Sequence, residues 1–172
     1  MQKIRLEKIS LKHKNEIERI KKEYDSLKED YNGAFFIKEY DDYRTLIHNL
    51  NNYSKGIMDN PNYVPYTCYV ALDEDNKIVG VGSLRHELND YLLKFGGHIG
   101  YSVVPSQRKK GYGTQILKLL LQKAKRKKIN KVLITCSNDN LGSIGIIKNN
   151  GGILENEITQ DDIVTCRYWI DN

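Results

Sequence analysis

The feature that most constrains this chain is the run His98-Ile-Gly-Tyr-Ser-Val-Val-Pro-Ser-Gln-Arg-Lys-Lys-Gly-Tyr-Gly-Thr114. Residues 98–104 read as a strand. Pro105 ends it, because proline has no N–H to give a ladder and fixes its own φ. Arg108, Lys109 and Lys110 follow, then Gly111-Tyr112-Gly113-Thr114. From Gly111 to about Lys128 the apolar stripe Ile116, Leu117, Leu120, Leu121 and Ala124 has helical spacing. A strand therefore enters a basic, glycine-spaced loop that opens a helix. The first turn of a helix leaves backbone N–H groups unpaired and carries partial positive charge, which makes an anion site. Glycines at 111 and 113 let a diphosphate approach the backbone closely. Thr114 either donates its hydroxyl or favours the first turn. The loop lacks the Gly-x-x-x-x-Gly-Lys-Ser/Thr of a P-loop, and no complete Gly-x-Gly-x-x-Gly is present.

The rest of the chain supplies a mixed order of elements. Residues 3–9 alternate as a strand. Ser10 is placed to cap a helix from Leu11 to about Asp30, whose face is Ile17, Ile20, Tyr24, Leu27 and Tyr31. Tyr43, Leu46, Ile47, Leu50 and Tyr53 predict a second helix ending near Gly56. Residues 59–65 are a loop by turn chemistry. Residues 66–72 and 77–84 flank Asp73-Glu74-Asp75-Asn76 and read as a hairpin. The nearly all-apolar run 131–136 predicts a parallel strand covered on both faces. A helix is expected from Asn140 to about Asn150, stopped by Gly151-Gly152, and a closing strand over 163–170.

A chain of 172 residues fits one domain with a buried core. The net charge of +5 suits an anionic ligand and is too small to argue for nucleic acid. The basic run Lys123-Ala-Lys125-Arg126-Lys127-Lys128 sits at a helix C-terminus, where cations favour the dipole, and no aromatic interleaves it. Cys68, Cys136 and Cys166 are odd in number and lack metal-ligand spacing, so they read as reduced thiols with no metal. Cys136, inside an apolar run, reads as a core residue. No stretch approaches the roughly 20 apolar residues of a membrane span, and no signal-peptide pattern is present. The expected location is the cytoplasm.

The loop Arg108-x-x-Gly111-x-Gly113 resembles the coenzyme-A signature of the GNAT superfamily of N-acetyltransferases, Gln/Arg-x-x-Gly-x-Gly/Ala. The resemblance extends through the following helix, the strand 131–136, and Asn140-Leu-Gly-Ser143 with Gly151-Gly152, covering about residues 66–170. Leu84-Arg85-His86, 96–101 (Gly-Gly-His-Ile-Gly-Tyr) and 167–170 (Arg-Tyr-Trp-Ile) also resemble a bacterial branch of predicted acetyltransferases. The resemblance implies a mixed α/β (α+β) class. Its central sheet is mostly antiparallel, splayed between strands 4 and 5 and flanked by helices. The whole of 1–172 would be a single domain, with 1–65 on the acceptor side and 66–172 forming the sheet and acetyl-CoA core. Acetyl-CoA is the implied cosubstrate, and the partner is a small-molecule or protein amine. No nucleic acid or membrane is implied, and a homodimer is the common assembly of such proteins.

Site residues follow from the same resemblance. Backbone groups of Val103 and Val104 would pair with pantetheine. The N–H groups of Arg108, Lys109, Lys110, Gly111, Tyr112, Gly113 and Thr114 would bind pyrophosphate. Asn140 and Ser143 would approach the pantetheine or thioester, and Lys148 with Lys109 and Lys110 the 3′-phosphate. An ammonium must lose a proton before it attacks, and histidine has the natural pKa for a base. His98 stands where several members place a Glu and is the expected base. His86 and Glu87 are the alternatives, only one of which should face the cleft, since strand residues alternate sides. Arg85 is placed to bind an anionic substrate group, and Tyr101 to line the substrate site. The helix tyrosine that protonates the leaving thiolate in many members is Ile147 here, so either Ser143, Tyr101, another Tyr or water serves, or the thiolate leaves unprotonated. A non-catalytic CoA-binding or sensing module is the competing function.

Overall fold

Two sheets are built around an amphipathic helix that close-packed glycines admit. The computed structural model describes residues 2–38 and 40–172. Strands β1 (Arg5–Lys8), β2 (Tyr66–Leu72), β3 (Ile78–Arg85) and β4 (Ile99–Val103) form one antiparallel sheet in the order β1-β2-β3-β4. Strands β5 (Lys131–Ser137), β6 (Ile153–Gln160) and β7 (Ile163–Asp171) form a second, ordered β5-β7-β6. Helix α3 (Tyr112–Arg126) crosses between β4 and β5. Its stripe Ile116, Leu117 and Leu120 is fully buried. Gly80 and Gly82 let it lie close on β3: a Cβ there would stand 2.5 Å from Ile116 Cδ1 and 2.7 Å from Leu120 Cδ1. On the opposite face, α1 (Lys14–Leu27) and α2 (Tyr43–Tyr53) bury Ile17, Ile20, Tyr24, Ile47 and Leu50 against Cys68, Val70, Ile78 and Val81. Among the described residues no helix is long and apolar enough to cross a membrane.

Several boundaries differ from the sequence reading for local reasons. Ser10 and His13 form a capping box around a 3-10 turn at Leu11–His13, so α1 begins only at Lys14. It ends at Leu27, where Lys28 turns left-handed at φ 52°. The expected parallel direction of 131–136 is corrected: β5 pairs antiparallel with β7. The apolar run reported burial on both faces, which Val132, Leu133 and Ile134 all have, and burial carries no direction. β6 was not expected. It is an edge strand, largely exposed and polar, so neither face shows an apolar period. Asp161 and Asp162, both at positive φ, turn it into β7.

Candidate active site

The two sheets meet at one point and then diverge. At the head of β4, the backbone N–H of His98 donates to Leu133 O at 2.7 Å. The Leu133 N–H donates back to His98 Nδ1 at 2.9 Å. Gly97, at φ 62°, carries the chain into this junction, where a Cβ would stand 2.6 Å from Leu133 O. Beyond it the strands splay into a cleft of about 860 Å³ lined by Gly100, Tyr101, Val103, Lys109, Cys136, Asn140, Ser143 and others. The structure places His98, the expected base, at this junction rather than on the cleft wall. Its ring is 7% exposed, does not line the cleft, and spends Nδ1 on a backbone donor. Burial, with Arg85 nearby, lowers its pKa to about 4.

The backbone of β4 opens alternately to β3 and to the split. His98 O accepts from Arg85 N–H, and Val104 N–H donates to Val79 O at 3.0 Å. By ladder alternation, Ile99, Tyr101 and Val103 point their amides and carbonyls toward the split. Val104, expected beside Val103, turns the other way: its N–H donates to β3, its carbonyl accepts from Gln107, and its side chain is fully buried.

The basic loop offers backbone donors at the start of α3. Arg108 N–H donates to Pro105 O, so it is not free as expected. For residues 109–114, no acceptor among the described residues receives the backbone N–H. Gly111 precedes α3 at φ 80°, ψ 0°, with no side-chain cap, and the first helical turn holds no acidic residue. Lys109 is also left-handed, at φ 60°. The Arg108 side chain, which lines the cleft, donates to both Glu29 carboxylate oxygens at 2.8 Å and through Nε to Val103 O at 3.3 Å. Tyr112 turns its ring into the core, its hydroxyl donating to Gln2. Gly113 makes room for Ile146, whose Cδ1 a Cβ would meet at 2.4 Å. Lys109 lines the cleft. Lys110 reaches Gln107 at 3.0 Å, and Lys148 is exposed outside the cleft lining, so the expected trio of lysines is not assembled. Thr114 lies beyond the lining, its carbonyl accepting from Asn150.

Opposite the loop, Asn140 caps α4 (Leu141–Asn149), accepting the Ser143 N–H at 3.0 Å. Ser143 Oγ lies 3.0 Å from Tyr101 OH, so β4 and α4 bring one hydroxyl pair across the split. Burial raises the Tyr101 pKa to about 12, an effect Ser143 partly offsets. The phenol thus stays protonated. Ile147 is fully buried and faces the core. Cys136 is corrected from core to cleft lining, half-buried beside this pair, and burial raises its thiol pKa. Burial falls along β5 after Ile134, so Thr135 and Cys136 lie where the strand leaves the core, a change no apolar count reveals.

A second pocket of about 1020 Å³ adjoins the cleft through Phe35 and Arg85, which line both. Its walls include Tyr63, Tyr66 and Tyr91, with Glu87 and Asp90. His86 does not line it. Its Nε2 meets Thr67 Oγ1 at 2.9 Å, and burial with Lys127 and Lys8 nearby lowers its pKa to about 4. Of the two alternatives, Glu87 is the one that lines a pocket. Phe35, from the 3-10 turn before α2, was not anticipated. Its exposure, 44%, is unusual for a phenylalanine and marks the pocket only once the turn is placed.

These features agree with comparison to known proteins. A family model described as Acetyltransferase (GNAT) family matches residues 20–151. No curated protein matches the sequence. Among solved structures, the chain is similar to RimL, a ribosomal L7/L12 alpha-N-protein acetyltransferase in complex with coenzyme A. The TM-score is 0.71 at 18% identity, covering 98% of this chain and 93% of that one. It is also similar to spermidine/spermine N-acetyltransferase SpeG from Vibrio cholerae, with TM-score 0.64 at 16% identity over 99% and 92%. A third is yncA from Salmonella typhimurium, a putative acetyltransferase with its cofactor acetyl-CoA, at TM-score 0.63 and 15% identity over 98% and 93%. With the split sheet and uncapped helix in place, the matched model identifies the chain as a member of the GNAT family of acetyltransferases.

Proposed function

We propose that this protein transfers an acetyl group from acetyl-CoA to the amine of an acceptor that enters through the aromatic pocket. The observation that carries this reading is the unpaired run of amides at 109–114, at the uncapped start of α3 and beside the mouth of the split. Those N–H groups bind the pyrophosphate, and Lys109 adds charge beside it. The pantetheine arm extends along β4, facing the backbone of Tyr101 and Val103. The thioester then lies near Tyr101, Ser143 and Asn140.

The acceptor nitrogen attacks the thioester carbonyl, the C–S bond breaks, and the thiolate departs. With a pKa near 12 against about 8.5 for a thiol, Tyr101 does not fully surrender its proton. It donates a hydrogen bond that stabilises charge on the departing sulfur, with Ser143 orienting it. The ammonium proton leaves through water toward Glu87, the pocket carboxylate next along the chain from Arg85. Pocket and cleft share Arg85 and Phe35, which favours an enzyme with an acceptor path over a sensor that only holds CoA. RimL acts on a protein amine and SpeG on polyamines by their names, so an amine acceptor agrees with both.

Calorimetric titration with acetyl-CoA and with acetyl-pantetheine tests the cradle: affinity should fall at least about 100-fold without the nucleotide. Thiol release across an amine panel tests turnover. Equal affinity for both probes would remove the cradle. Tight binding with no thiol release from any amine would leave the sensing module as the function.

A further inference from the structure

Arg85 is a charge without a counter-charge. It ends β3 at the junction of pocket and cleft and is only partly exposed. Burial lowers its pKa, so the protein spends free energy to keep the cation there. Nη1 donates to Gly96 O at 3.1 Å and Gly97 O at 3.2 Å, which fixes the guanidinium plane. Phe35 lies 5.9 Å from it and supports one face. Among the described residues no carboxylate reaches it, and Nε and Nη2 donate to no protein acceptor. Glu87 and Asp90 line the same pocket and do not pair with it. A fixed, partly desolvated guanidinium with free donors facing a cavity is built for a planar, bidentate anion.

The surroundings say which anion. The pyrophosphate cradle lies at the far end of β4, at 109–114, so Arg85 is not part of it. On the pocket side Phe35, Tyr63, Tyr66 and Leu92 form an aromatic and apolar stretch of a wall that also carries Glu87 and Asp90. Tyr63 and Phe35 are 58% and 44% exposed, the kind of open aromatic surface a ligand covers. On the cleft side are Tyr101 and Ser143. We propose that Arg85 binds the carboxylate of the acceptor, so that the acceptor is a free amino acid with an apolar or aromatic side chain. The amine points into the cleft, the carboxylate sits on Arg85, and the side chain fills the aromatic pocket. This rests on the acetyltransferase reading above. The nitrogen forms the N–C bond as the thioester C–S bond breaks. Starting from the ammonium, the nitrogen loses two protons, one through water toward Glu87 and a second that ends on the sulfur, giving an N-acetyl amino acid and free CoA.

The test uses the CoA-loaded protein and two products that differ only in the carboxylate, N-acetyl-L-phenylalanine and N-acetylphenethylamine. Calorimetry should give at least about tenfold tighter binding of the first. Arg85→Gln should level the two, and Arg85→Lys should restore part of the preference, which separates charge recognition from loss of the Gly96 and Gly97 contacts. Turnover should follow the same order, with L-phenylalanine above phenethylamine and L-phenylalaninamide. Equal binding, a preference that survives Arg85→Gln, failure of both products to bind, or the amide outrunning the amino acid would overturn the proposal. The last result would point to a peptide N-terminus. Each leaves acetyl-CoA binding intact, whereas loss of acetyl-CoA binding by the parent protein would defeat the acetyltransferase reading itself.

Discussion

At His98 the ring accepts from a backbone N–H, and an acceptor nitrogen must stay unprotonated. Its folded pKa near 4 lies below the ordinary 6.5, so the folded state resists a proton that the unfolded chain takes up. Its contribution is therefore complete above pH 6.5, falls as pH drops toward 4, and levels off below that. The shift corresponds to about 3 kcal/mol. Urea midpoints at pH 7 and pH 4.5 should differ by less in His98→Gln than in the parent protein; equal differences would show that the ring is not coupled to folding. Tyr101 carries the opposite kind of expectation. Tyr101→Phe keeps the ring and removes the donor, so kcat should fall about 10- to 100-fold with acetyl-CoA affinity nearly unchanged. A matching loss of affinity would instead make the hydroxyl a binding group. The sequence showed that Ile147 cannot donate a proton. It could not show that Tyr101 and Ser143, 42 positions apart, are hydrogen-bonded across the split. Nor could it tell a catalytic histidine from one that ties two strands, because both occupy the head of β4.

Helix α3 is where local sequence and function coincide, and it was the most legible element. Its stripe, the proline before it and Gly111 all follow from short-range rules. What the residues did not reveal is how the basic side chains are used: Arg108 closes on Glu29 of the N-terminal arm, and the anion site is left to amides. Arg108 and Glu29 are both partly exposed, at 41% and 33%. Such a pair contributes about 0–1 kcal/mol, so Glu29→Gln should barely move the melting temperature. Gly111 is the demanding position. At φ 80° any side chain is strained by about 1–2 kcal/mol, and Asp adds a negative charge where a diphosphate would lie. Gly111→Asp should weaken acetyl-CoA at least about 100-fold while leaving acetyl-pantetheine affinity within about threefold. Equal weakening of both probes would place the defect in the fold. β6 and the direction of β5 were illegible for the same reason: strand partners are set by distant residues, while an apolar run reports only burial.

As a whole the molecule is two sheets that diverge from the His98–Leu133 contact, with a helix pair on one face and α3 and α4 on the other. The split leaves β4 at Tyr101 and Val103 without a neighbouring strand, although Val103 O accepts from Tyr24 OH and Arg108 Nε, and it leaves the start of α3 without a cap. A ligand shaped like a strand with an anionic head would engage both features together. The cofactor should therefore act as a structural wedge as well as a substrate. At a concentration 100 times its Kd, a ligand specific for the folded state stabilises it by about 2.7 kcal/mol. For a chain of this size each kcal/mol corresponds to about 2–4 °C. Saturating acetyl-CoA should then raise the melting temperature by about 5–10 °C, acetyl-pantetheine far less at the same concentration, and neither should shift Gly111→Asp by more than about 2 °C. A shift of the same size in Gly111→Asp would mean that the coenzyme is held by something other than the start of α3. The test reaches past the motif to the architecture: the sequence located the amides of one loop, and the thermal shift asks whether the split sheet and that loop act as one site.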